Sequence, residues 1–125
     1  MGSFRKLTMF SAKGVPMDQL ATHSIGIVPV GATFRLLQVQ IIITTPPSAM
    51  ASFALSVGTN GPLYTNLAGA RFSDLNMRNP DDRLALMEPS ASADPVPENT
   101  EIHCRVAAAT TGPGVMDVQV VGFLF

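Results

Sequence analysis

The chain has one cysteine, no tryptophan, one tyrosine and few charges. A lone cysteine, Cys104, cannot close an intrachain disulfide, so a hydrophobic core must hold the fold. Its place in an apolar series marks it as a small buried hydrophobe. With no tryptophan and only Tyr64, the chain is poor in the aromatic platforms on which sugars stack. Charged residues make up 14% of the sequence, against about 25% in ordinary soluble domains. The net charge is −1, and the eight Lys and Arg are scattered apart from the pair Arg5-Lys6, which excludes the basic stripe of a nucleic-acid binder. No run approaches the roughly 18 to 20 apolar residues that cross a bilayer, and none follows Arg5 and Lys6 as in a secretory leader, so no membrane partner is expected. With so little charge, the surface must either be rich in Ser, Thr, Asn and Gln or be covered in part by neighbouring subunits.

Chemistry-bearing motifs are missing as well. His23, His103 and Cys104 show neither Cys-x-x-Cys nor His-x-x-x-His spacing, and His103 falls on the polar side of its series. There is no nucleophile elbow, phosphate loop or dinucleotide fingerprint, and Gly58, Gly61, Gly112 and Gly114 sit in turn sequences. Asp81 and Asp82 are adjacent and follow Pro80, which reads as a helix start or solvated loop. They form no acid/base pair with Glu88, Glu98, Glu101 or Asp117 that spacing can establish. No catalytic residue, metal or cofactor is expected.

What the sequence does carry is alternation. Leu37, Val39, Ile41 and Ile43 alternate with glutamines; Phe53, Leu55 and Val57 with Ala and Ser; Ile102, Cys104, Val106 and Ala108 with Glu101, His103 and Arg105; Met116, Val118 and Val120 with Asp117 and Gln119. Period two is the mark of strands with one buried and one wet face. A chain of 125 residues is the size of one domain with one real core. The expected fold is therefore all-β, an antiparallel β-sandwich of jelly-roll-like type spanning residues 23–125, preceded by an irregular N-terminal arm over residues 1–22.

That arm is read as holding at most one short strand near Leu7–Phe10. Further strands are expected near Ile25–Val28 and around Phe72, Leu75 and Met77. Residues 84–86 read as a helical turn or a strand, and residues 88–100, with three prolines, as a loop. The last two strands, 101–109 and 115–124, are expected to form a hairpin across Thr110–Gly114. Late in the final strand both faces turn apolar, so it either lies under the arm or meets another chain.

The string VPVGATFRLLQVQIIITTPPSAMASFALSVGTNGPLY and the closing string VPENTEIHCRVAAATTGPGVMDVQVVGFLF resemble small β-sandwich structural proteins of tailed bacteriophages. Together they cover roughly residues 25–62 and 95–125. The resemblance implies a capsid decoration or cement protein, or a related head or tail accessory protein, without enzymatic activity. Its implied partners are the major capsid protein and further copies of itself, as a homotrimer. Its implied location is the capsid surface of the virion, after assembly in the host cytoplasm. For contacts, the greasy arm residues Phe4, Leu7, Met9 and Phe10 and the outer face of the last strand, Val121, Phe123 and Phe125, are the expected set. Two other readings are a head-spike base or tail-tip adhesin that binds a virion protein or host glycan, and a small β-sandwich hydrolase using Asp81 or Glu101.

Overall fold

The computed structural model describes residues 6–47, 53–59, 65–72, 84–87, 89, 95–110 and 112–125, and of residues 65, 66, 70–72, 84 and 85 the backbone alone. Eight strands follow in chain order: β1 (Lys6–Pro16), β2 (Thr22–Ile27), β3 (Phe34–Thr45), β4 (Phe53–Thr59), β5 (Thr65–Phe72), β6 (Leu84–Met87), β7 (Glu101–Ala108) and β8 (Val115–Leu124). None of the described residues is helical.

The strands form two four-stranded antiparallel sheets, β1-β8-β3-β6 (sheet A) and β2-β7-β4-β5 (sheet B). The pairs β1 with β8, β2 with β7, β3 with β6 and β4 with β5 are those of one long hairpin folded at its middle. Rolling that hairpin adds the pairs β3 with β8 and β4 with β7 and closes a jelly-roll sandwich. Most of the alternating residues identified in the sequence meet between the sheets; Leu37, expected among them, is turned outward by a bulge between Leu36 and Gln38. Val39, Ile41 and Ile43 of β3 and Met116, Val118 and Val120 of β8 are buried on one side, and Leu55, Val57, Ile102, Cys104 and Val106 on the other.

Two further expectations change. The region read as an irregular arm is, over residues 6–16, an eleven-residue strand along the edge of sheet A. Its alternation is hidden in the sequence by a bulge: the register with β8 shifts between Ala12 and Val15, with Gly14 at φ 68°. One inserted residue reverses which side chains face inward, so Val15 is buried although Phe10 and Ala12 set the opposite phase. Second, β7 and β8 do not make a hairpin, because they lie in different sheets. Their connection crosses the end of the sandwich, where Met17 N–H donates to Gly114 O (2.8 Å) and Thr110 N–H to Met17 O (3.0 Å). Of the two readings of residues 84–86, the strand is the one found, over Leu84–Met87, while the helix start or loop read at residues 79–82 lies outside the described residues, as do Leu75 and Met77.

Phe34 anchors the far end of the core. It is fully buried and stacks edge-on against Phe10, with ring centroids 5.2 Å apart at 70°. Gly122 of β8 lies beneath it: a β-carbon there would meet the Phe34 ring at 2.5 Å and collide with the Arg35 carbonyl oxygen. Gly26 of β2 makes the same kind of room for Phe10, whose ring would come within 2.6 Å of a β-carbon.

Candidate functional site

The outer face of sheet A is where an apolar strip stays uncovered. Residues directly opposite each other in a sheet point to the same side, so register defines the strip. Leu7 of β1 pairs with Phe123 of β8, which pairs with Arg35 of β3; Met9 pairs with Val121, which pairs with Gln38. Leu7 is 63% exposed and Met9 56%, although each belongs to a regular strand. A second bulge, between Leu36 and Gln38, adds Leu37 to this side at 40% exposure. Phe125 extends the strip and is held by a reciprocal backbone pair with Thr33 (2.9 and 3.0 Å). From sheet spacings, the strip is about 10 Å across the strands and about 14 Å along them.

Toward the other end of the same face the rows become more polar: Ser11, Gln119 and Gln40, with Asp117 accepting the Gly14 N–H at 3.0 Å and Gln40 bonding to Gln38 at 3.2 Å. Apolar surface resumes beyond β3, where exposed Leu86 of β6 stands opposite Gln40.

Of the expected contact residues, Leu7, Met9, Val121, Phe123 and Phe125 come together here. Phe10 does not: it pairs with Val120 and turns inward, where it packs on Phe34 and Gly26. The greasy arm sequence thus divides, with odd-numbered residues outside and Phe10 in the core. Phe4 lies outside the described residues. The final strand is apolar on both sides because it is central in sheet A, yet β1 lies beside it and leaves its outer side open. Arg35 and Leu37 join this face only through the register: Arg35 looks like an ordinary wet-side residue, and Leu37 opens the series expected to face inward with Val39, Ile41 and Ile43 until the bulge between Leu36 and Gln38 turns it out.

The other titratable groups are separated. His103 faces outward from sheet B, paired with Glu101 on the same strand (Nε2 to Oε1, 2.5 Å), and Arg105 follows with its Nε near Thr22 Oγ1 at 3.5 Å. His23 lies opposite Cys104 in the register of β2 and β7, and its buried Nε2 has no hydrogen-bond partner among the described residues. Burial pushes the Cys104 thiol up to about 11, which keeps it protonated and unreactive at neutral pH. Among the described residues, no three His, Cys, Asp or Glu side chains converge. Asp81, named for the hydrolase reading, lies outside the described residues, and Glu101 is the partner of His103. An open depression beside the β2 edge is lined by Leu20, Ala21, Thr22, Arg105, Val106 and Ala107.

No protein-family model matches the chain, and no curated protein matches it. Solved structures do. The chain is similar over 98% of its length, and 90% of the other chain, to one in the acidic stable capsid structure of the Helicobacter pylori bacteriophage KHP30, at a TM-score of 0.60 and 17% identity. It is also similar to a chain of the cyanophage Pam1 capsid asymmetric unit, covering 98% of this chain and 88% of that one, at a TM-score of 0.51 and 17% identity. At such identity the likeness is one of fold: nearly the whole of this small β-sandwich follows the path of chains in two phage capsids.

Proposed function

We propose that the chain is a non-enzymatic structural component of a phage capsid, a decoration or cement protein that sits on the major capsid shell as a symmetric oligomer and stabilises it. The observation that carries this reading is the exposed pairing of Leu7 with Phe123 and Met9 with Val121 on one face of a sandwich. The likeness to two chains of phage capsid structures supports it, and so does the low charge of a surface that need not stay free in solution.

A cement protein works by complementary area repeated through symmetry. A standard contact covers about 800 Å² on each partner. The patch supplies its apolar centre and the neighbouring Gln38, Gln40 and Arg35 a polar border, the usual anatomy of a specific interface. Several modest contacts made at once on a lattice add through effective concentration, so no single deep pocket is needed. In this reading a trimer is the assembled form.

The test is cosedimentation of the purified chain with shells of the major capsid protein, followed by heating of bare and decorated particles. Saturable, stoichiometric binding with a higher rupture temperature is the expected result. No binding, or binding without protection, would remove the cement role. Light scattering on the free chain should give three times 13.2 kDa if the trimer forms before docking.

A further inference from the structure

The two ends of β2 carry a projection and a hollow of matching chemistry. Past its last residue, Pro29 to Ala32 make a tight turn, closed by Ala32 N–H donating to Pro29 O at 3.2 Å with Gly31 at φ 82°. Val30 stands at the tip, 77% exposed, where turn chemistry usually places proline or a polar residue. The turn is braced: Val28 N–H donates to Thr100 O (3.0 Å), Asn99 N–H to Val28 O (2.9 Å), and Gly31 N–H to a carboxylate oxygen of the exposed Glu98 (2.9 Å). An apolar knob is thus held in place with a negative charge beside it. At the other end β2 begins at Thr22, opposite Arg105, while β7 runs on to Ala108, and the open depression noted above lies there. Leu20, Ala21, Val106 and Ala107 make most of its lining, and exposed Arg105 is the one charged residue in it.

We infer that Val30 of one copy of this chain seats in the depression of a second copy, with Glu98 of the first meeting Arg105 of the second. This contact deepens the oligomer reading above and rests on it. Within one chain the knob and the hollow lie at opposite ends of β2, about 20 Å apart for six residues at strand spacing, so neither can fill the other. A different protein would have to supply both an apolar tip and an acid at this spacing; a copy carries them already. The contact joins two unlike patches, and such head-to-tail pairing closes into a ring where the rotation allows, the three-membered ring being the trimer of that reading. A two-fold contact through either feature alone would set Glu98 near Glu98 or Arg105 near Arg105, where like charges oppose association. A guanidinium carries five N–H donors, so Arg105 can keep its approach to Thr22 Oγ1 and still take a carboxylate.

The test is disulfide trapping in full-length chains carrying V30C or A107C. The native Cys104 is buried and protonated at neutral pH, so it stands aside. A bridge needs Cα atoms within about 7 Å, which rules out an internal one when both changes share a chain. Mixing V30C with A107C is expected to give covalent dimers well above the yield of either variant alone, in solution or on capsid shells. Adding E98K to the V30C chain should slow trapping about ten-fold, and adding R105E to its A107C partner should restore most of the rate, a recovery that mere damage to the turn would not allow. No trapping in either setting, equal trapping of the single variants, or a charge reversal without recovery would each overturn the contact. Should E98K fail to fold, E98Q keeps the Gly31 bond through its amide oxygen and should also slow trapping, and an unchanged rate would overturn the contact too. Trapping in a chain that ignores shells would keep this contact and remove the capsid reading, whereas shell binding without trapping would do the reverse.

Discussion

The two outer faces of the sandwich are made by the same alternation and carry opposite chemistry. On sheet A the outward rows begin Leu7, Phe123, Arg35 and Met9, Val121, Gln38. On sheet B the corresponding rows are Thr22, Arg105, Ser56, Gly69 and Ser24, His103, Gly58. Both sheets bury the same kind of inner face, so folding alone gives no reason for the difference. The sheet B rows are polar or lack a side chain, and His103 is mostly covered and paired with Glu101, whereas Leu7 and Met9 leave more than half of their surface in water. The contrast separates residues that the core uses from residues that it leaves exposed, and substitutions can test that separation.

The largest effect should come from removing what both faces share. Phe34→Ala takes away a fully buried ring that closes the core and holds Phe10, and should cost about 3–5 kcal/mol in urea denaturation. A loss below about 1 kcal/mol would mean that the two sheets are held mainly by something other than this core. Next comes Gly122→Ala, which forces a methyl group between the Phe34 ring and the Arg35 carbonyl. Backbone on one side cannot move away, so the cost should reach about 3 kcal/mol, the upper end for overpacking.

A smaller effect is confined to sheet B and to alkaline pH. Burial raises the Cys104 thiol from 9.0 to about 11, so between those values the unfolded chain has released a proton that the folded chain keeps. Stability from this group is intact below about pH 9 and declines as pH rises toward 11, by on the order of 2 kcal/mol. Comparing denaturation midpoints across that window in wild type and Cys104→Ala should show the slope in the first and not in the second.

The smallest effect on stability sharpens the comparison most. Leu7→Ser and Met9→Ser should each leave the folding free energy within about 0.5 kcal/mol while shortening retention on a hydrophobic-interaction column. Thr22→Leu and Ser24→Leu, which place apolar side chains on sheet B, should lengthen retention with an equally small change in stability. Should Leu7→Ser destabilise the fold by 2 kcal/mol or more, its side chain would belong to the core's account and the contact reading of that face would fail.

Much of the architecture was legible because period two survives wherever a strand is unbroken. Val39 to Ile43, Phe53 to Val57, Ile102 to Val106 and Met116 to Val120 announced β3, β4, β7 and β8 with their buried sides. β1 was obscured for two reasons: the Gly14 bulge shifts its phase, and Leu7 and Met9 put apolar residues on the wet side too. Which strands pair was not legible. Thr110–Gly114 has the composition of a hairpin turn, but whether a glycine-rich link turns within a sheet or crosses between two depends on distant strands that local sequence does not encode. For the same reason Leu7, Met9, Val121 and Phe123 can each be picked out singly, while the inward turn of Phe10 and the place of Arg35 beside Phe123 exist only in the register.

The pairing of β1 with β8 joins Lys6 to Leu124, more than a hundred positions along the chain. It is among the most non-local pairings of the fold, and non-local pairings make a domain slow to form. Leu7 and Met9 come from one end of the sequence and Val121 and Phe123 from the other, so the strip is whole only where β1 and β8 are joined. Anything that frays that edge splits the strip along its length without touching the core pairs of β3 and β8.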